Sequence, residues 1–418
     1  MSTRKITFYI ALALFAQEST WNFYDNQVPV LLREHVASTA LVGALMGMDN
    51  LLGIFIQPWI GNRSDNTRTR WGRRIPYLAV GMPLAAIIFA LLPWTTSLTM
   101  LVVVMVGYAL IANTMRPLAE SMVPDFIPPE RRSRANAVVK IATALTIIVA
   151  SLISLLLIDE HPRTSFLIPS AILLAATVVL VVRVRDSASR AYQAALTEDA
   201  AAGPARSRVP FREIVADLVT DRDRRRLLLL LTVLLFGGAW FASRSLVTPY
   251  GMEVLGLSRG DAGGLTLPSG IAYVVAAYPA ALLAERFGRF KTIGVGMTIF
   301  AVALAAGTVV RTPTATVVVF CIASIGAAAF TINAAVALWN LAPSSRVLGT
   351  YTGLYAVTWY LGGFGGPALV GGIVDLLGWT GMLFYIAVLA LLAVFVLVRL
   401  GRLHRSLQDE PAPTTHMT

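Results

Sequence analysis

The sequence predicts an all-α membrane protein of twelve transmembrane helices arranged as two six-helix bundles. Three observations carry that expectation. Of 418 residues, 56% are hydrophobic and only 14% charged, against roughly a quarter charged in soluble domains. The apolar residues gather into windows of roughly 20, enough to cross a bilayer as helix; 227–235 and 317–329 are the cores of two. Two loops also recur at a nearly constant offset, dividing the chain in half.

The spans are expected, in order, at 6–31, 38–61, 75–94, 98–122, 134–158, 164–183, 226–250, 262–284, 290–310, 314–341, 347–375 and 379–399. The first begins like a signal peptide, MSTRKITFYIALALFAQEST. It lacks an A-x-A cleavage site and runs into Gln17 and Glu18, so it reads as a retained helix. The second and third flank the basic stretch GNRSDNTRTRWGRRIPYL (61–78), with Pro76 in the first turn of the third, where proline is tolerated. Short connections join most of the others, as helical hairpins in a membrane require. The exception is 185–225, whose EDAAAGPARSR has the composition of a solvated linker. Within it FREIVADLV (211–219) is weakly amphipathic and suits a membrane surface. The expected organisation is therefore a first bundle at 1–184, a linker at 185–225, a second bundle at 226–400 and a tail at 401–418.

Charge sets the orientation, because Lys and Arg accumulate on the cytoplasmic side. With both termini cytoplasmic, 28 of the 34 Lys and Arg residues fall on that side, those of 131–140 included. Four face outward (Arg33, Arg163, Arg259, Arg311), and Arg116 and Arg244 lie inside the spans. An inner (plasma) membrane location follows. Dispersal of the basic residues over loops also argues against nucleic-acid binding, which needs a folded basic face.

The repeat is visible in two places. RWGRRIPYLAVGM follows span 2 and ERFGRFKTIGVGM follows span 8, aligning Gly72 with Gly288. IPPERRSRANAV follows span 4 and APSSRVLGTYTG follows span 10, aligning Pro128 with Pro343. Offsets of 216 and 215 imply a duplicated six-helix unit.

Gly61-x-x-x-Asp65 followed by Trp71-Gly72-Arg73-Arg74-x-Pro76 resembles the loop between helices 2 and 3 of the major facilitator superfamily. The longer QPWIGNRSDNTRTRWGRRIPY, with RPLAESMVPDFIPPERRSRANAV, is similar to the sucrose–proton symporters and, more loosely, to the glycoside–pentoside–hexuronide group. The resemblance implies the major facilitator fold, two bundles related by a pseudo-two-fold axis, and a cavity lined by helices 1, 4, 7 and 10. It implies proton-coupled symport of a sugar or glycoside by alternating access, and a gating role for Gly61, Asp65, Gly72, Arg73 and Arg74. Glu285, Arg286 and Arg289 look like a reduced copy in the second half. In physical terms, Gly61 and Gly72 supply turn freedom and close approach. Asp65 can accept charge-assisted bonds from several of Arg63, Arg68, Arg73 and Arg74.

An ionisable group at mid-bilayer costs at least about 2.5–3.5 kcal/mol on insertion scales, so each needs a partner or a task. Glu18, Asn22 and Asp25 share one face of helix 1, flanked by Trp21 and Tyr24. Asn113, Arg116 and Glu120 share a face of helix 4, where Arg116 and Glu120 can pair at i, i+4. Glu120 is the first proton-carrier candidate, with Glu18 and Asp49 beside it. The sugar symporters carry an aspartate five positions after this arginine; here that position is Ser121. Trp240 and Arg244 on helix 7, Asn333 and Asn340 on helix 10, and Tyr355 on helix 11 complete the substrate-binding candidates. Gln57 before Pro58 and Gly53 replace the aspartates of a sodium site, so the proton is the expected coupling ion.

No cofactor or metal is expected: the histidines (His35, His161, His404, His416) lie in loops or the tail without ligand spacing. No nucleotide or catalytic motif occurs, and Cys321 is the sole cysteine, so the chain does not read as an enzyme. A small-molecule substrate and the lipid bilayer are the expected partners of a monomer. A proton-driven exporter of amphipathic drugs or lipids is the alternative transporter, and a membrane sensor or scaffold the alternative of another class.

Overall fold

The computed structural model describes residues 2–36, 39–158, 160–202, 210–220, 224–257, 261–262 and 265–409. Among these no strand forms; an isolated bridge pairs Thr69 with Gly72. The first half holds α1 (Thr3–Arg33), α2 (Thr39–Asp65), α3 (Ile75–Leu91), α4 (Leu98–Phe126), α5 (Arg132–Leu157) and α6 (Leu167–Arg183). The connecting segment holds α7 (Arg190–Ala202) and α8 (Phe211–Thr220). The second half holds α9 (Arg225–Ser245), α10 (Val247–Glu253), α11 (Leu267–Phe287), α12 (Arg289–Gly307), α13 (Pro313–Leu341), α14 (Leu348–Leu377) and α15 (Met382–Asp409).

Ten of these helices are long and apolar enough to cross a membrane. α1 and α2, at 31 and 27 residues, are longer than most but carry more polar groups and fall outside that set; the count among the described residues is consistent with the expected twelve. Two expectations need correction. The 185–225 linker contains helix α7, whose alanine-rich RAYQAALTEDAAA has high helix propensity but little apolar content to announce it. The seventh span, expected unbroken at 226–250, ends as α9 at Ser245 and resumes as α10 after Leu246. Pro249 explains the break, since it cannot donate to the Ser245 carbonyl and its ring crowds that group.

The chain forms two compact units, Met1–Ile214 with Ala342–Val357, and Val215–Leu341 with Thr358–Thr418. In the first, α1 packs on α4, α5 and α6, while α3 packs on α4 and α6 and α2 runs along α4. Its core holds an aromatic cluster in which Phe23 meets Phe166 at 5.0 Å and Tyr24 stacks on Tyr108 at 5.3 Å. In the second, α13 packs on α11 and α12, and α15 on α9 and α12, around Phe236 with Phe330 (4.4 Å) and Phe300 (5.0 Å). Large apolar side chains such as Phe55, Val103, Val182 and Phe395 face outward, as lipid contact requires.

Lipid offers apolar contact as readily as a neighbouring helix does, so membrane helices associate through close packing of small residues. The glycine-rich part of α14 does this selectively. A Cβ at Gly366 would overlap the backbone of Gly238 on α9, whereas one at Gly365 would meet nothing within 4 Å. Gly366→Ala is therefore expected to lower the thermal midpoint of the detergent-solubilised protein. Gly365→Ala should leave it unchanged or raise it, since removing a helix-interior glycine gains roughly 0.5–1 kcal/mol. Equal effects at the two positions would refute the close-approach account.

Candidate functional site

Two adjacent arginines at the α2–α3 loop, Arg73 and Arg74, have no solvent exposure. Asp125 at the end of α4 receives both: Arg73 donates through Nη2 (2.6 Å) and Nε (3.2 Å), and Arg74 through Nε (3.0 Å). Arg74 Nη2 also bonds Asp65 Oδ1 at 2.6 Å, and Arg73 Nη1 bonds the Ser345 carbonyl at 2.8 Å. Asp65 caps α14, accepting from the amides of Gly349 (3.0 Å) and Thr350 (2.8 Å) and from the Thr350 hydroxyl (3.0 Å). Asp186 caps α3 in the same manner, accepting from the amides of Arg74 (2.5 Å) and Ile75 (3.3 Å).

The charges close. Three carboxylates and two guanidiniums leave one net negative charge, and two helix N-termini supply roughly half a positive charge each. Burial opposes the Arg74 charge, but Asp125 and Asp65 outweigh it and hold the guanidinium's pKa above its ordinary value. Asp186 is the strained member. Burial and then the like charge of Asp125 push its carboxyl above the usual range, and its buried Oδ1 has no hydrogen-bond partner among the described residues.

Of the expected gating residues, Asp65, Gly72, Arg73 and Arg74 thus come together, with Gly61 nearby. Gly72 has φ +100°, and a Cβ there would overlap the Asp186 carboxylate. Gly61 makes no turn: it lies within α2, and its small size admits the Gly349 carbonyl. Arg63 stacks over Trp59 at 5.7 Å, and Arg68 donates to Asp199 of α7 at 2.7 Å. Asp199 also pairs with Arg346, and Glu198 accepts from the Ser344 hydroxyl. In the second half, Gly288 repeats the positive φ of Gly72 at 94°. Arg286 there lies over the Phe287 ring, and Glu285 and Arg289 are half-buried.

Inside the first unit a chain of ion pairs links three helices. Glu18 on α1 meets Arg116 Nη1 at 2.9 Å, Arg116 Nε lies 3.8 Å from Glu120, and Glu120 meets Lys140 Nζ at 3.2 Å. Lys140, counted above with the cytoplasmic-side charges of 131–140, sits on α5 within the span expected at 134–158. Asn22 donates to Thr146 at 2.7 Å, and Trp21 lies edge-on to Tyr108 at 5.2 Å. Asn113 is buried and accepts from Gln57 at 2.9 Å. Asp25 is exposed. The Asp49 side chain lies outside the described residues.

In the second unit Arg244 lies over the Trp240 ring at 5.1 Å and donates to Ser269 at 2.8 Å. Asn333 is fully buried and donates to the carbonyls of Ala329 (2.9 Å) and Ala280 (3.4 Å), while Asn340 is exposed. Tyr355, on the part of α14 that belongs to the first unit, is buried. Sequence reasoning missed Asp125, Asp186, Lys140 and Asp199. Only Lys140 left a signal, as one of three lysines and within an expected span.

Asp125→Asn should cost about 3–5 kcal/mol, because it strands two buried guanidiniums, and should lower the thermal midpoint accordingly. Asp186→Asn keeps an acceptor for both amides and should cost about 1 kcal/mol or less at neutral pH. The folded carboxyl of Asp186 binds its proton more tightly than the unfolded one. Its contribution is therefore present below the unfolded pKa and lost as pH rises through the folded one. The wild type should lose stability over that interval relative to Asp186→Asn; parallel pH profiles would exclude the strain assigned to Asp186.

The family model described as Major Facilitator Superfamily matches residues 10–271 and 263–416. The fold is similar to that of the E. coli fucose:proton symporter FucP, with TM-score 0.76 and 15% identity over 94% of this chain and 98% of that one. It is similar also to the human organic anion transporter MFSD10 (TETRAN), with TM-score 0.74 and 16% identity over 95% and 100%. At such identities the likeness is one of fold. A curated human relative, the membrane-associated transporter protein, is 34% identical over 118 residues, 24% of this chain and 22% of that one. The match therefore spans about a fifth of that relative's length. With both halves of the chain matched and an all-helical fold among the described residues, this protein belongs to the major facilitator superfamily, whose members are membrane transporters and not enzymes.

Proposed function

We propose that this transporter carries a sugar or glycoside in symport with protons, by alternating access. In this reading it sits as a monomer in the inner (plasma) membrane with both termini cytoplasmic, and the proton, not sodium, is the coupling ion. The observation that carries the reading is the chain Glu18–Arg116–Glu120–Lys140, two carboxylates and two cations, of which Arg116, Glu120 and Lys140 lie on helices long and apolar enough to cross a membrane and Glu18 on α1.

A proton reaching Glu18 dissolves its bond to Arg116 and frees guanidinium Nη1 to donate to a substrate hydroxyl. Loss of that proton on the other side of the membrane restores the pair and expels the hydroxyl. Glu120 has Lys140 on one side and Arg116 on the other, so it anchors both cations while Glu18 exchanges. Glu18, in place of Glu120, is then the proton carrier, with Trp21 and Asn22 on the same helix as sugar contacts. Release of the Asp65 bonds to α14 accompanies opening on the cytoplasmic side.

Uptake of labelled sugars into proteoliposomes tests the reading. An inward proton gradient should drive accumulation, and a sodium gradient should not. Glu18→Gln should abolish concentrative uptake while preserving exchange, whereas Glu120→Gln should impair both. Undiminished concentrative uptake by Glu18→Gln would remove that residue from the coupling role. Proton-driven dye extrusion without uptake of any sugar would favour the exporter of amphipathic molecules.

A further inference from the structure

The duplication keeps cations at its second turn and loses the anions that balance the first. In the first unit Asp65, Asp125 and Asp186 gather around Arg73 and Arg74. The offset of 216 puts Ala281 at the position of Asp65, and the offset of 215 puts Asn340 at that of Asp125. The one-turn helices Thr164–Phe166 and Trp379–Gly381, which precede α6 and α15, are also 215 apart and put Gly401 at the position of Asp186. None of the three replacements carries charge. The α11–α12 turn nevertheless holds Arg286, Arg289 and Lys291 against one carboxylate, Glu285. Lys291 is exposed and forms no ion pair among the described residues.

Two outward-opening grooves meet at that lysine. One, of about 590 Å³, lies between α11, α12 and α13, and its walls are apolar apart from Lys291 and Thr292. The other, of about 950 Å³, lies between α12, α13 and α15 and adds Arg289 and Asn340 at the same end. Phe287, Lys291, Val295 and Ile299 line both, so α12 is the ridge between them. Phe287, Val295 and Ile299 are exposed, on helices long and apolar enough to cross a membrane. Two apolar troughs with cations where they join are the complement of a molecule with two acyl chains and an anionic head.

We infer that a phospholipid of net negative charge binds astride α12, with its phosphodiester at Lys291 and Arg289 and one acyl chain in each groove. The phosphate supplies the negative charge that the second repeat lacks. Lysine suits this place because its stem can lie along the apolar wall while the ammonium reaches the head group. A zwitterionic lipid is disfavoured, since its own ammonium would approach a turn that already carries excess positive charge.

Native mass spectrometry of the full-length protein in detergent tests the site, with phosphatidylglycerol and phosphatidylcholine of equal chain length in competition. Phosphatidylglycerol should be retained about tenfold over phosphatidylcholine, as expected for basic residues at a membrane surface. Lys291→Gln removes the charge and Val295→Trp fills both grooves from an outward-facing position; each should bring phosphatidylglycerol down to the level of phosphatidylcholine. A thermal midpoint equal to that of the wild type in lipid-free detergent establishes that a variant folds, and either variant alone decides the outcome. Lys5→Gln removes one positive charge from α1 and should leave retention unchanged. Wild-type preference in Lys291→Gln or in Val295→Trp overturns the inference. Equal loss in Lys5→Gln and Lys291→Gln overturns it in favour of diffuse attraction. Displacement of phosphatidylglycerol by glycerol 3-phosphate, which has the phosphate without the chains, overturns the lipid as occupant.

Discussion

Burial of the adjacent guanidiniums of Arg73 and Arg74 is the constraint from which the rest of the α2–α3 region follows. Neither side chain reaches solvent, and an unpaired buried charge costs several kcal/mol. Asp125 must therefore extend from α4 to both, and Asp65 must reach Arg74. Asp65 still has lone pairs to satisfy, and the first-turn amides of α14 satisfy them. The carboxylate that neutralises an arginine in one segment thus fixes the start of a helix some 280 residues later in the chain, between Asp65 and Gly349. Gly72 belongs to the same logic: its positive φ and missing Cβ let Asp186 reach the amides that open α3.

The same rule acts inside the spans with a different outcome. Around Arg116 the helices supply charges from α1, α4 and α5, so that among the described residues Glu18 and Glu120 balance Arg116 and Lys140. Around Arg244 the described residues supply an indole, a serine hydroxyl and a helix N-terminus, none of which carries negative charge. Close packing adds the frame that keeps both in position, since Gly61 against Gly349 and Gly238 against Gly366 bring helix backbones into contact that any side chain would prevent.

The sequence by itself determined the all-helical membrane class, the duplicated organisation, the loop motif from Gly61 to Arg74 and the helices bearing Glu18, Arg116, Glu120 and Arg244. These were legible because apolar length, repeat spacing and turn residues are properties of neighbouring positions. Helix α7 and the break before α10 were not, since the first has an alanine-rich composition common to linkers and the second depends on where Pro249 falls. The tertiary structure alone decided which charges meet. Asp125, Asp186 and Lys140 reach their partners from 52, 112 and 20 positions away, and no local pattern encodes such a meeting. It decided equally that Arg244 meets no carboxylate among the described residues, because that depends on what every packed neighbour presents to it at once.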